Sequence, residues 1–149
     1  PVQRHRTPQP GVARLIPAQW QERYVALDAR TGRLLFNVDA KAYVFSSVAL
    51  AGNLAIVGSH NGKVIAFDAR TGRPAWEFQT ESSRRNAGAL LTADGRLNAD
   101  AFTPVFGDFQ DMYIDFQRFV SLGGVLSSAA IVDGVVLVAS LDGNLYALG

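Results

Sequence analysis

The sequence predicts an all-β fold in which small sheets of four antiparallel strands are stacked face to face. Two internal repeats carry this prediction. Residues 24–36 (YVALDARTGRLLF) and 64–76 (VIAFDARTGRPAW) lie 40 positions apart and share seven of thirteen residues. Residues 46–68 and 127–149 align without a gap, 81 positions apart, and share seven of 23 residues. Such a period with a fixed turn motif is typical of proteins that stack one supersecondary unit.

Each unit is expected to hold four short strands joined by tight turns. The predicted strands are 24–28, 33–38, 46–51, 54–59, 63–68 and 74–79. Asn61-Gly62 and Asp142-Gly143 predict two-residue hairpins of type I′, which need a positive φ at both central residues. Parallel strands would need crossover connections, so these tight hairpins exclude a parallel α/β sheet.

The second strand of each unit is apolar along its whole length. Residues 54–57 read LAIV and residues 135–139 read VVLVA. A strand with one wet face alternates, whereas a continuous apolar run indicates that both faces are covered. Small antiparallel sheets covered on both faces are the blades of a β-propeller.

The strand pattern divides the chain into segments. Residues 1–23 are interpreted as a flexible arm or the remnant of an upstream linker, and residues 24–149 as a partial propeller. Its parts are the end of one blade (24–38), a full blade (46–79), an insertion or degenerate blade (80–126) and an incomplete last blade (127–149). This gives roughly two to three blades, whereas propellers close at about four to eight. The remaining blades are expected from an upstream segment of the same parent chain or from further copies.

Residues 80–126 are expected to contain a hairpin around Asp94-Gly95 and one short helix over 109–119. Asp108 is the predicted N-cap of that helix. Its apolar residues recur at helical spacing: Phe109, Met112, Tyr113, Phe116 and Phe119. Two interpretations stay open for Phe109, Tyr113, Phe116 and Phe119, namely packing against the propeller and an exposed interaction patch.

Composition excludes several function classes. The chain has no Cys, which excludes disulfides, thiol catalysis and thiolate metal sites. A net charge of +1, with 14 basic and 13 acidic residues, gives no case for nucleic-acid binding. The sequence has no apolar run long enough for a membrane span. His60 is expected on the surface of a hairpin turn and His5 in the arm, so neither predicts a metal site.

The repeated corner resembles a known motif. Ala66, Asp68, Thr71, Gly72 and Trp76 match AxDxxTGxxxW, the tryptophan-docking motif of pyrroloquinoline-quinone (PQQ)-like propellers. The first copy has Ala26, Asp28, Thr31 and Gly32, with Phe36 in place of the Trp. The resemblance covers residues 24–79 and 127–149.

Each motif residue also has a physical reason to recur. The glycines supply a positive φ at the turn, and the Asp and Thr side chains hydrogen-bond turn amides. The large aromatic residue can pack between neighbouring blades. A feature that recurs once per blade is interpreted as architectural, so no catalytic residue is assigned.

The resemblance implies two functions. The favoured one is a non-catalytic propeller module, periplasmic or extracytoplasmic, that binds a protein or peptide as a scaffold. The alternative is a C-terminal fragment of a PQQ-dependent alcohol or sugar dehydrogenase that uses PQQ and calcium. The adjacent cysteines and the Glu-Asn-Asp calcium set of those enzymes have no matching positions here, so no cofactor is evident.

Overall fold

A computed structural model of the protein describes residues 13–18, 22–102 and 108–149. Within these ranges the elements are β1 (Ala13–Ala18), β2 (Arg23–Asp28), β3 (Leu34–Asp39), β4 (Ala49–Ala51), β5 (Leu54–Gly58), β6 (Lys63–Asp68), β7 (Pro74–Gln79), α1 (Glu81–Leu90), a 3₁₀ helix (Ala99–Ala101), α2 (Phe109–Ser121), β8 (Ala130–Val132), β9 (Val135–Ala139) and β10 (Leu145–Leu148). The strands form three antiparallel sheets with the orders β1-β2-β3, β4-β5-β6-β7 and β8-β9-β10.

The middle sheet is packed on both faces, as its continuous apolar strand predicted. One face contributes Ala55, Val57, Ile65 and Phe67 to a core shared with the first sheet. The other face contributes Ile56, Val64 and Ala66 to a core shared with the third sheet. Successive residues of a strand point to opposite faces, so one apolar run serves both cores. The predicted architecture of stacked propeller blades in an open ring is therefore confirmed.

The sequence repeat is also a repeat of hydrogen bonds. Ser46 Oγ accepts from Gly58 N at 2.9 Å and donates to Gly58 O at 2.9 Å. Ser127, 81 positions later, makes the same pair with Ala139 at 3.0 and 2.9 Å. Each serine thus fixes the entry to the first strand of a blade against the end of the second strand.

The hairpins between the second and third strands of the blades differ from the predicted turn type. Gly62 has φ +77° and Gly143 has φ +82°, but neither preceding residue has a positive φ. Ser59 N donates to Lys63 O at 2.9 Å, and Gly62 N donates to Ser59 O at 3.2 Å. This pattern is a type I turn followed by a left-handed glycine bulge, so the type I′ prediction was wrong.

Part of the predicted flexible arm, residues 1–23, is a strand. Ala13–Ala18 pair with β2 along their whole length, from Ala13 opposite Asp28 to Ala18 opposite Arg23. Pro17 has no amide hydrogen, but it lies in an edge strand, where one side of the backbone needs no partner. The prediction of an arm is therefore wrong for residues 13–18, while residues 1–12 and 19–21 lie outside the described ranges.

Between the second and third blades the chain forms helices. In the described part of residues 80–126, α1, the 3₁₀ helix and α2 precede the entry to the third blade. Leu90, Leu91 and Leu122 form a small core of their own. The hairpin expected around Asp94-Gly95 is reduced to a turn closed by a single bridge between Leu91 and Leu97, because α1 extends to Leu90. Of the two interpretations of this segment, the helices favour an insertion.

A basic and acidic cluster holds the insertion against the first blade. Arg96 pairs with Glu22 at 2.8 Å, with Asp94 at 3.2 Å and with Asp39. Lys41 Nζ donates to Asp94 O at 2.8 Å. The carboxylate of Asp39, followed by those of Glu22 and Asp94, raises the pKa of Arg96.

Candidate functional site

The two repeated corners form the same turn. Asp68 Oδ1 accepts hydrogen bonds from Arg70 N at 3.0 Å, Thr71 N at 2.8 Å and Thr71 Oγ1 at 2.8 Å. Asp28 Oδ1 accepts the equivalent three bonds at 3.0, 2.7 and 2.8 Å. The Thr71 hydroxyl lowers the pKa of Asp68 most, and the Thr31 amide lowers the pKa of Asp28 most. Both carboxylates are therefore engaged by their own turns.

The aromatic position of the first corner lies against the glycine of the second. A Cβ placed on Gly72, which has φ +72°, would lie 2.5 Å from Phe36 Cδ2. The Phe36 ring also meets the Phe67 ring edge-on, with centroids 6.4 Å apart. Trp76 is the counterpart of Phe36 and packs, partly buried, against the core between the second and third sheets. The alanines of both motif copies are fully buried: Ala26 and Ala66.

Helix α2 forms where the sequence predicted a helix, and it is two residues longer than the predicted range 109–119. Asp108 is the N-cap, and its side chain accepts from Gln110 N at 2.9 Å and Asp111 N at 3.0 Å. A capping carboxylate also interacts favourably with the helix dipole. Arg118 lies in the last turn, where a cation is favoured, and pairs with Asp115 at 3.0 Å.

The most unusual surface of the described chain is an apolar one on α2. Four of its side chains are largely exposed and form the surface called here the aromatic stripe: Phe109 (83%), Met112 (61%), Tyr113 (56%) and Phe116 (60%). None of the residues of α2 is fully buried. An amphipathic helix on a protein normally turns its apolar face inwards. Here the part of that face from Phe109 to Phe116 points to solvent, which is typical of interaction surfaces.

Phe119, grouped with the stripe from the sequence, lies elsewhere. Its ring stacks on Phe102 with centroids 4.6 Å apart and lies 4.5 Å from the ring of His60. Phe45 and Tyr43 meet the same imidazole edge-on, at 5.7 and 6.5 Å. The sequence therefore grouped two surfaces, one exposed on α2 and one packed under it.

His60 is not the surface residue that its hairpin position predicted. Both of its ring nitrogens are buried and have no hydrogen-bond partner among the described residues. Burial disfavours the charged imidazolium and lowers the pKa of His60 to about 4. The insertion covers this hairpin, which local sequence could not reveal. The available signal was the presence of aromatic residues that could cover the imidazole, namely Tyr43 and Phe45 before the hairpin and Phe119 in the predicted helix.

We expect the stability of the chain to fall between about pH 6.5 and about pH 4 because of His60. An unfolded histidine binds its proton near pH 6.5, whereas folded His60 binds it near pH 4. Protonation therefore favours the unfolded state across that window, by up to about 3 kcal/mol. Urea unfolding of wild type and His60→Phe at several pH values tests this. The free energy of unfolding of His60→Phe should not show this fall as the pH is lowered, whereas that of His5→Gln should show it.

Three acidic residues lie at the start of α2 or within it, namely Asp108, Asp111 and Asp115, and two of them are engaged in other contacts. The Asp108 carboxylate caps the helix, and Asp115 pairs with Arg118. Among the described residues, no group of three or more His, Asp or Glu side chains is arranged to hold a metal ion.

Neither helix in the described ranges is long and apolar enough to cross a membrane.

Solved structures resemble this fold at low sequence identity. The quinohemoprotein alcohol dehydrogenase from Comamonas testosteroni superposes with a TM-score of 0.54 at 18% identity, over 87% of this chain and 16% of that chain. A europium-containing methanol dehydrogenase gives 0.52 at 14% identity, over 86% and 18%. The computationally designed Ika8 protein gives 0.54 at 13% identity, over 92% and 30%. These likenesses concern the fold alone.

Sequence comparison supports the same relationship. The quinoprotein alcohol dehydrogenase PedE of Pseudomonas putida is 40% identical over 58 residues, which are 38% of this chain and 9% of that protein. The chain therefore spans a small part of the length of this curated relative. The family model described as outer membrane protein assembly factor BamB matches residues 6–147. Because that match covers almost all of the sequence, the chain belongs to this PQQ-like family, as its corner motif indicated.

Proposed function

We propose that the chain is a non-catalytic module of a larger PQQ-like propeller and acts as a protein-binding scaffold. The observation that carries this proposal is the aromatic stripe. Four large apolar side chains stand on one exposed face of a capped helix, outside the stacked blades. Exposed apolar surface of this kind is costly in water and marks sites that another protein covers.

The blades supply the rigid base that a scaffold needs. We propose that each corner motif fastens its blade to the next one, with Phe36 seated on Gly72 and Trp76 in the equivalent position one blade later. The close approach of the Phe36 ring to the position that a Cβ would occupy on Gly72 supports this role. The remaining blades would come from another segment of the parent chain or from further copies. The small fraction of each structural neighbour that the chain spans supports a larger ring.

A periplasmic or extracytoplasmic location is part of the proposal. Its support is family membership, since the matching family is described as an outer membrane protein assembly factor. Fractionation of cells that express the full parent protein tests it. Recovery in the cytoplasmic fraction would contradict the proposed location.

The alternative is a fragment of a PQQ-dependent dehydrogenase. The 40% identity to PedE over 58 residues favours it. Titration of the chain with PQQ and calcium, followed by tryptophan fluorescence, separates the two functions. We expect no saturable binding and no dye-linked alcohol oxidation. Saturable binding that needs calcium would replace the scaffold with the dehydrogenase fragment.

The scaffold role has its own test. The immobilised chain is compared with the double variant Phe109→Gln/Phe116→Gln for capture of proteins from a periplasmic extract. Gln is a good helix former, so the variant should keep α2 while losing apolar surface. The matched control, Leu34→Gln/Leu50→Gln, removes exposed apolar side chains outside α2. We expect the α2 variant to lose captured protein and the control to retain it.

A further inference from the structure

We propose that α2 is a dimerisation helix whose aromatic stripe packs antiparallel against the same stripe of a second copy of the chain. This inference rests on the protein-binding role proposed above and names the partner. It starts from the exposure of the stripe, which has Phe109 at 83% and Phe116 at 60%. A second copy is favoured over other partners by the spacing, the charge distribution and the area of the stripe.

The spacing of the stripe is self-complementary. Its residues lie at positions i, i+3, i+4 and i+7, which share one face of a helix. A two-fold axis between Met112 and Tyr113 brings Phe109 of one copy opposite Phe116 of the other, and Met112 opposite Tyr113. Each aromatic ring then meets an apolar side chain, as an interface between identical surfaces requires. The antiparallel arrangement also places opposite ends of the two helix dipoles together.

The charges of α2 do not oppose this arrangement. At about 100° per residue, Asp111 lies far from the centre of the stripe, and Asp115, which flanks the stripe, is already paired with Arg118 at 3.0 Å. The opposite flank of the stripe carries Gln110 and Gln117, both exposed. An amide both donates and accepts hydrogen bonds, so two copies can pair their glutamines across the axis. A membrane surface is less well matched, since α2 carries Asp111, Asp115 and only one basic residue, Arg118.

The area of the stripe suits a weak, reversible dimer. A fully exposed aromatic side chain offers about 200 Å². With the exposed fractions above, the stripe offers roughly 500 Å² per copy, or about 1,000 Å² in total, which is the lower limit for a specific interface.

Sedimentation equilibrium of the wild-type chain tests the proposal. We expect concentration-dependent dimers with a dissociation constant below about 100 µM. Phe109→Gln/Phe116→Gln should weaken association about tenfold or more, because aromatic anchors dominate such interfaces. Leu34→Gln/Leu50→Gln should associate like the wild type. A far-ultraviolet circular dichroism spectrum that matches the wild type shows that the α2 variant is folded.

Because the chain has no cysteine, single introduced cysteines give a second, independent readout. Met112 lies next to the proposed axis, so Met112→Cys should form a disulfide-linked dimer under mild oxidation. Leu34→Cys has a similarly exposed position outside α2 and should not. Rapid linking at position 112 and none at position 34 supports the dimer. Equal linking at both positions overturns it.

The outcomes separate this inference from the scaffold role. A wild-type chain that stays monomeric up to about 100 µM overturns the dimer, as does association that the α2 variant leaves unchanged. If the α2 variant nevertheless loses captured protein, the scaffold role stands with a different partner. If the chain binds PQQ in a calcium-dependent way, the scaffold role fails whatever its oligomeric state.

Discussion

Replacement of Gly62 by Ala is expected to lower the free energy of unfolding by about 2–5 kcal/mol. Gly62 has φ +77°, and an added Cβ would lie 2.4 Å from Leu122 O, 2.5 Å from Ser83 Cβ and 2.6 Å from Thr80 Oγ1. The left-handed conformation costs an L-residue about 1–2 kcal/mol, and overpacking adds about 1–3 kcal/mol. All three obstructing atoms belong to the insertion, residues 80–126, so the variant also pushes the insertion away from the blade.

Gly32→Ala is the matched control for this substitution. Gly32 has nearly the same backbone conformation, with φ +71°, but a Cβ added there would have no neighbouring atom within 4 Å. The free energy of unfolding of Gly32→Ala should therefore fall only by the cost of the left-handed conformation, about 1–2 kcal/mol. Urea unfolding of both variants measures the difference. Equal losses would show that packing between the hairpin and the insertion contributes nothing.

Replacement of Phe67 by Ala is expected to cost about 3–5 kcal/mol, the usual loss for a buried aromatic residue. Phe67 is fully buried in the core between the first and second sheets. Its ring centroid lies 6.2 Å from that of Tyr24 and 6.4 Å from that of Phe36, both in the first sheet. The substitution therefore removes the main aromatic contact between these two blades.

The destabilisation caused by Phe67→Ala should be largest in the first sheet, and this distinguishes it from a general loss of stability. Hydrogen exchange in Phe67→Ala should accelerate more in β2 and β3 than in β8 and β9, since the third sheet packs on the opposite face. Leu50→Ala, at a largely exposed position, should change the stability by less than about 0.5 kcal/mol. Uniform acceleration in all three sheets would contradict a local role for Phe67.

The parts of the fold that the sequence predicted are those coded by local pattern. The corner turns follow from the Asp, Thr and Gly of the repeat, and both copies make the same three bonds to Asp28 or Asp68. The coverage of both faces of β5 follows from its unbroken apolar run. Helix α2 follows from the N-cap Asp108 and from apolar residues at helical spacing.

Other features depend on contacts between distant parts of the chain. Helix α1 has the sequence ESSRRNAGAL, which lacks an apolar period and includes Gly88. Its start is fixed by Thr80, whose hydroxyl accepts from Ser83 N at 3.3 Å, and its last residue, Leu90, packs against Leu122. The burial of His60 likewise depends on Phe119, 59 positions later. Such contacts between distant residues cannot be predicted from the local sequence pattern.

The candidate surface was predicted only in part for the same reason. Helical spacing placed Phe109, Tyr113, Phe116 and Phe119 on one side of a helix, and it left packing and exposure as alternatives. The direction in which that side points depends on how the insertion lies on the blades. Among contacts between described residues, Phe119 is the one of the four that meets aromatic residues beneath α2, since it lies about one turn beyond Phe116.

The insertion leaves the propeller and returns to it at one point. The Thr80 hydroxyl donates to Gly123 O at 3.3 Å, so the two ends of residues 81–122 are in contact. Ala40 lies at the equivalent junction between the first two blades, because Ser59 Oγ donates to Ala40 O as Ser140 Oγ donates to Gly123 O. The chain passes through that junction without an insertion. Because closing a longer loop costs little extra free energy, evolution can exchange this segment without disturbing the register of any strand. The junction is thus a site at which new binding specificities can be acquired, and at which an engineer could graft one.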